Sequence, residues 1–168
     1  GMPWLPALEP ALDPGLWLRV LPLAILGVLI QTGAEELVFR GYLQQQLAAR
    51  FASPLLWMGL PAALFGLAHY APDQAGGMVW LVVAATGLFG LIAADLTART
   101  GSLGLAWGLH FANNVLAILV VSAMPGLDGL ALWRLPAEIS DLMVPLLLAD
   151  MAMLALVWAA CRLWLARR

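Results

Sequence analysis

Two adjacent carboxylates, Glu35 and Glu36, an arginine four residues further on, Arg40, and both histidines of the chain, His69 and His110, stand in stretches that otherwise read as membrane-spanning. An ionisable group near the centre of a bilayer costs roughly 2.5 to 3.5 kcal/mol on insertion scales, so such groups face a cavity and mark function. On a helix Glu36 and Arg40 share a face, where a carboxylate and a guanidinium offset each other's burial. Glu35 points about 100° away from Glu36 and is left to address a cavity as base or acid. His110 and Asn114 are also four apart on one face, and Phe65 sits one turn before His69 and would lie against it. Both histidines are expected inside apolar helices.

The elements that carry these groups follow from composition. The chain has 168 residues, 63% of them hydrophobic and 11% charged, where a soluble domain is about half apolar and about a quarter charged. Soluble enzymes, DNA-binding modules and disordered tails are excluded, which leaves an all-α, polytopic bundle of transmembrane helices. A net charge of -2, with 8 basic residues spread singly, points away from any nucleic-acid partner. All of them are arginine, and the abundance of Ala, Leu and Gly suggests a GC-rich bacterial genome. Cys161 stands alone, so neither an internal disulfide nor a metal site built from cysteine pairs is available.

Five spans can be marked between polar or proline-containing breaks. The first rises from Leu16 and continues through Glu35, Glu36 and Arg40 toward Arg50, too long for one straight crossing. It is expected to tilt, to break near Gly33 or Gly41, or to end in an interfacial stretch from Tyr42 to Arg50. Ser53 and Pro54 start a second helix that runs to about Tyr70. Met78 to about Ala98 is the third. Gly101 and Ser102 read as a stop and an N-cap, so the fourth starts near Leu103 and ends before Pro125. A polar loop from Gly126 to Asp141 precedes the last span, Leu142 to Leu165. Residues 1–15 form a proline-rich segment without the features of a signal peptide, residues 16–168 a single transmembrane domain, and Gly1 reads as a scar ahead of Met2.

Arg50, Arg99, Arg162, Arg167 and Arg168 fall on one side of the membrane by alternation, and Arg19 and Arg134 on the other with most of the acids. The first side, with the C-terminus, is therefore expected in the cytoplasm, and the membrane is a bacterial inner membrane. With five spans the chain then begins outside. This implies either an odd number of upstream helices missing from the chain or a first span that inserts as a reverse anchor.

Counted back from the arginine-rich side at 1.5 Å per residue, Glu35 and His69 each lie about 22 Å deep, and His110 and Asn114 about 12 and 18 Å deep. These groups can meet in one layer. Glu35 to Arg40 reads as EExxxR, Phe65 to His69 as FxxxH and His110 to Asn114 as HxxxN. In that order on separate helices, with Arg99-Thr100-Gly101-Ser102-Leu103 before the third, they resemble the CPBP intramembrane proteases, the CAAX prenyl endopeptidase and bacteriocin-processing family, over about Gly33 to Val121.

The resemblance implies an intramembrane endopeptidase. Glu35 and His69 would activate a water, and His110 and Asn114 would hold the oxyanion of the tetrahedral intermediate, supported by Glu36, Arg40 and Phe65. No cofactor is required by that scheme; were a divalent metal such as zinc bound, Glu35, His69 and His110 would be its ligands. The implied partners are the bilayer and a membrane peptide or lipidated protein substrate. Family members commonly have eight helices and this chain resembles the last five, so upstream helices would be missing from it. The site is expected in an inward pocket walled by the first, second and fourth spans, with Phe65 and Trp107 near its lining and Glu35 within hydrogen-bond or one-water reach of His69.

Two other classes compete: a proton-coupled membrane carrier, in which Glu35, His69 and His110 form a relay, and a non-catalytic immunity or scaffold member of the same fold. The common depth of the groups argues against the first, and the unbroken motifs against the second. Plainer roles suit other residues. Glu36 and Arg40 form a structural ion pair, and Asp95 and Arg99 an interfacial one. Asp150 makes a buried hydrogen bond to another helix, and the Gly104/Gly108 and Gly87/Gly90 pairs permit close helix packing.

Overall fold

The computed structural model describes residues 8–123, 128–136 and 140–167, with side chains from 143 onward in the last stretch. Expectations for Gly1, for the prolines ahead of residue 8, for Pro125 and for Arg168 lie outside the described residues. The Asp13 carboxylate opens α1 (Pro14–Glu36) by accepting from the Leu16 amide at 2.9 Å, and Pro14 occupies the first turn, where its missing N–H removes no hydrogen bond. The helix then continues through seven π-helical residues, Leu37–Leu43, into α2 (Gln44–Ala48). The expected break is absent. In hydrocarbon an interruption would strand backbone groups, whereas the wider π turns carry the helix through Leu37–Leu43, so that it runs on for 35 residues.

A π-helical turn, Leu55–Gly59, leads into α3 (Leu60–Leu67), which stops three residues short of the expected end. Pro72 accounts for the stop, since the residue before a proline is driven out of helical geometry and Ala71 sits at φ -132°, ψ 78°. A single turn, α4 (Pro72–Ala75), and a 3-10 turn, Gly76–Met78, lead into α5 (Val79–Thr100). As the sequence indicates, α5 ends on Gly101, whose φ of 65° suits glycine. The Ser102 hydroxyl accepts from the Gly104 amide at 3.1 Å and starts α6 (Gly104–Asn114), which continues as π-helical Val115–Val120. The last helix is α7 (Ser140–Leu165).

Pro14–Ala48, Pro72–Thr100 and Met143–Leu165 are long and apolar enough to cross a membrane, and Leu55–Leu67 and Gly104–Val120 are shorter apolar helices. At 1.5 Å per residue the short pair reach about 20 and 26 Å, less than the roughly 30 Å of a hydrocarbon core. Leu18, Leu23, Ile30, Leu37 and Val38 point outward along the first helix, the arrangement of a chain solvated by lipid.

Helices α3 and α5 meet at backbone contact. A Cβ on Gly66 would lie 2.6 Å from the Val83 carbonyl oxygen, and one on Gly90 2.9 Å from the Ala62 Cα. The Gly104/Gly108 stripe expected to pack does not: a Cβ on Gly108 would meet nothing. The buried face of α6 is Ala106 and His110, two residues on and about 200° around the helix. Phe65, Phe89, Ala93 and Ala106 form the main core, with Phe39, Leu109 and Leu154 against it.

Three strands of two residues close the end opposite the arginine-rich one. They are β1 (Glu9–Pro10), β2 (Val121–Ser122) and β3 (Trp133–Arg134), ordered β1-β3-β2. Glu9 pairs with Arg134 antiparallel, and Val121 with Trp133 parallel. This patch occupies part of what reads as a polar loop, and Arg134 binds Glu9 at 3.1 Å and Asp128 at 3.4 Å. The Leu119 carbonyl at the end of the fourth span accepts from Trp17 Nε1 at 2.8 Å and from the Leu132 amide at 3.0 Å, which satisfies a helix-end acceptor.

Candidate active site

The deep charges form one connected group. Glu36 Oε1 accepts from Arg40 Nη1 at 2.9 Å and from His110 Nδ1 at 2.8 Å, and the Glu36 and Arg40 side chains are each 1% exposed. The expected ion pair is there, with His110 as an added donor. Arg40 Nη2 also donates to the Gly90 carbonyl at 3.3 Å. Its guanidinium lies 4.5 Å from the centroid of Phe65, 5.5 Å from that of Phe89 and 5.9 Å from that of Phe39. Those aromatic rings stand where water would otherwise solvate the cation. One turn on, Gln44 Nε2 donates to the Ala94 carbonyl at 3.0 Å.

Because an ionised carboxylate only accepts, His110 donates through Nδ1, and its Nε2 faces Glu35 Oε2 at 3.6 Å, too long for a hydrogen bond. Glu35 Oε2, like Glu36 Oε2, is buried and has no hydrogen-bond partner among the described residues. The other Glu35 oxygen accepts from Gln31 Nε2, and Gln31 Oε1 accepts from Asn114 Nδ2 at 3.1 Å. Gln31 thus joins the free carboxylate to the amide. Sequence reasoning missed it, although a polar residue one turn before Glu35 on an apolar span was the available signal.

His69 departs from its expected place inside a helix. It stands in the turn after α3, with its amide on the Gly66 carbonyl at 3.0 Å. Its Nδ1 lies 2.8 Å from the Phe65 carbonyl, which can only accept, so the proton sits on Nδ1 and the Nε2 lone pair is left for chemistry. As expected, Phe65 lies against the ring, with centroids 4.9 Å apart.

A cavity of about 370 Å³ brings His69, His110 and Asn114 together with Phe65, Phe89 and Thr86. Glu35 is not among its lining residues and touches it through His110 and Gln31. The second and fourth spans supply walls as expected. The third and fifth take the place assigned to the first, because α5 packs on α3 and α7 on α5 while α1 packs on α6. Trp107 is not in the lining either: its indole N–H binds Thr32 Oγ1 at 3.1 Å and its ring lies over Gly33.

Glu35, His69 and His110 do not assemble into a metal-binding group; among the described residues no three His, Cys, Asp or Glu do. At the arginine-rich end, Asp95 accepts from Arg99 Nε at 2.9 Å, Arg162 Nη1 at 3.1 Å and Trp158 Nε1 at 2.9 Å. The interfacial pair read from the sequence is thus the local part of a larger cluster. Asp150 lines the cavity but makes none of the hydrogen bonds expected of it to another helix among the described residues.

Comparison with known proteins agrees with the three motifs. No solved structure matches the chain. The uncharacterized protein YyaK of Bacillus subtilis (strain 168) is 36% identical over 115 residues, which cover 68% of this chain and 38% of that relative. The chain therefore spans well under half the length of the curated relative that it matches. A family model for type II CAAX prenyl endopeptidase Rce1-like proteins matches residues 17–116, which contain Gln31, Glu35, Glu36, Arg40, His69, His110 and Asn114. The chain is thus an integral membrane protein that belongs to the Rce1-like, type II CAAX prenyl endopeptidase family, within the CPBP family that its motifs resemble.

Proposed function

We propose that this chain carries the hydrolytic centre of an intramembrane endopeptidase that cuts a membrane peptide or lipidated protein by means of a carboxylate-activated water. One observation carries the reading: of two adjacent glutamates, Glu36 is bound by the Arg40 guanidinium and His110, while Glu35 is hydrogen-bonded, among the described residues, only by the neutral amide of Gln31. In the proposed step, Glu35 with the free Nε2 of His69 takes a proton from water, and the oxygen attacks the scissile carbonyl. Negative charge then builds on the carbonyl oxygen. His110 and Asn114 stabilise it by hydrogen bonds, His110 through Nε2–H in the doubly protonated form of the ring. Collapse returns the proton to the leaving amine and breaks the C–N bond.

No metal enters this scheme, and the donors that would bind one are not gathered into a group. The membrane is read as a bacterial inner membrane, with the arginine-rich end and the C-terminus in the cytoplasm. Purified protein in lipid should cleave membrane peptides, and Glu35→Gln should lower the rate by about 10³-fold or more with unchanged thermal unfolding. Elemental analysis of the active protein should find less than one equivalent of zinc. Wild-type rates from Glu35→Gln would overturn the role of the base, and activity that is lost on stripping zinc and regained on its return would overturn the metal-free scheme.

A further inference from the structure

The family match ends at residue 116, yet the cavity extends beyond it onto α7. There Met143, Leu146, Leu147, Asp150 and Leu154 form one wall, and Asp150 is its single polar member among the described residues. Packing fixes which way Asp150 faces. Leu147, one turn before it, packs on the Ala75, Val79 and Val82 cluster, and Leu154, one turn after it, packs on the Phe65 and Phe89 cluster. Residues at such spacing share a face, so the carboxyl is held toward the cavity by the leucines on either side.

Counted from Leu165, Asp150 is about 22 Å from the arginine-rich end, the layer that the same count gives for Glu35. No lysine or arginine lines the cavity among the described residues, and Asp150 makes no ion pair or hydrogen bond with any of them. Among the described residues, the other polar members of the lining are neutral or imidazole-bearing, and Asp150 is the one acidic residue. A carboxylate at bilayer depth needs a countercharge. Every described arginine is elsewhere. Arg40 is locked to Glu36, Arg99 and Arg162 to Asp95, Arg134 to Glu9 and Asp128, and Arg50 to Gln46, while Arg19 and Arg167 are not among the lining residues.

We propose that Asp150 is a specificity-determining residue whose carboxylate pairs with a basic side chain of the substrate, lysine or arginine, within a few residues of the scissile bond. The inference rests on the protease reading and adds the class of sequence that the site prefers. A substrate cation supplies the charge that the described residues do not bring to this cavity, and its pairing with Asp150 places the backbone beside His69, His110 and Asn114. No covalent step is involved.

The test uses transmembrane peptides identical except for arginine, norleucine or glutamate at positions flanking the cut, with the purified full chain in lipid vesicles. Wild type should prefer arginine over norleucine by at least about tenfold in kcat/KM. Asp150→Asn should bring that ratio near one, Asp150→Glu should preserve it, and Asp150→Arg should favour the glutamate peptide. The same peptides are titrated against Glu35→Gln protein by tryptophan fluorescence, so that recognition is read without cleavage. Binding that favours arginine and depends on Asp150, with no cleavage by wild type, would uphold recognition and sink the protease reading. Equal kcat/KM for all peptides, an unchanged ratio in Asp150→Asn, or a rate loss equal for arginine and norleucine would overturn the proposal.

Discussion

Two charged clusters sit at different depths and are built on opposite principles. At the rim, Asp95 collects three donors from Arg99, Arg162 and Trp158, and its arginine partners are 45% and 36% exposed. In the interior, Glu36 collects two, from Arg40 and His110, with its own side chain and that of Arg40 each 1% exposed. The rim cluster has the longer inventory of bonds and the deep one the greater consequence. Water can replace any donor lost at the rim. Nothing replaces one lost inside, where an uncompensated charge keeps its full desolvation cost. The number of hydrogen bonds is therefore a poor guide to their importance, and access to water is a better one.

The comparison can be tested from its strong side first. Glu36→Ala strands both Arg40 and His110 and should lower stability by about 3 to 5 kcal/mol, read by denaturant unfolding in detergent. The double variant Glu36→Leu with Arg40→Met removes both charges and should recover more than half of that loss. A double variant no more stable than Glu36→Ala would mean that packing, not stranded charge, dominates the interior. Next in size is Gly66→Ala, which pushes α3 off α5 at the Val83 carbonyl and should cost about 1 to 3 kcal/mol, with loosening of the Phe65 ring against Arg40. An unchanged melting temperature would show that the helices separate without penalty. The smallest effect belongs to Asp95→Asn, below about 1 kcal/mol and shrinking further in high salt. A loss there as large as that of Glu36→Ala would erase the distinction between rim and interior.

Features set by neighbours along the chain were legible in the sequence. Glu36 and Arg40, or Asp95 and Arg99, lie one helical turn apart, so their pairing follows from helix geometry alone. Gly101 announced the end of α5 for the same local reason. Features set by which helix meets which were not legible. That Trp158 and Arg162 would reach Asp95, 63 and 67 residues away, depends on α7 lying beside α5. The same pairing turned the cavity wall over to the third and fifth spans, and the approach of α3 to α5 made Gly66 a close-contact glycine beside the expected Gly90, while Gly108 stayed open. Periodicity gives each helix a face, but not the partner of that face. His69 fell between the two cases, since Pro72 was visible but its effect reaching back to shorten α3 was not weighed.

Arg40 and Gln44 each reach a backbone carbonyl fifty positions further along the chain, those of Gly90 and Ala94. The two contacts are four residues apart on both helices, so the first helix and α5 are keyed together like two teeth in a rack. Sliding one helix along the other by a single residue, about 1.5 Å, would unseat both teeth at once, whereas a swing about the keyed segment need disturb neither. Any movement that admits a polypeptide to this cavity is thereby steered toward pivoting and away from piston-like travel, and the glutamates, within ten residues of the lock, stay at a constant depth while the walls turn.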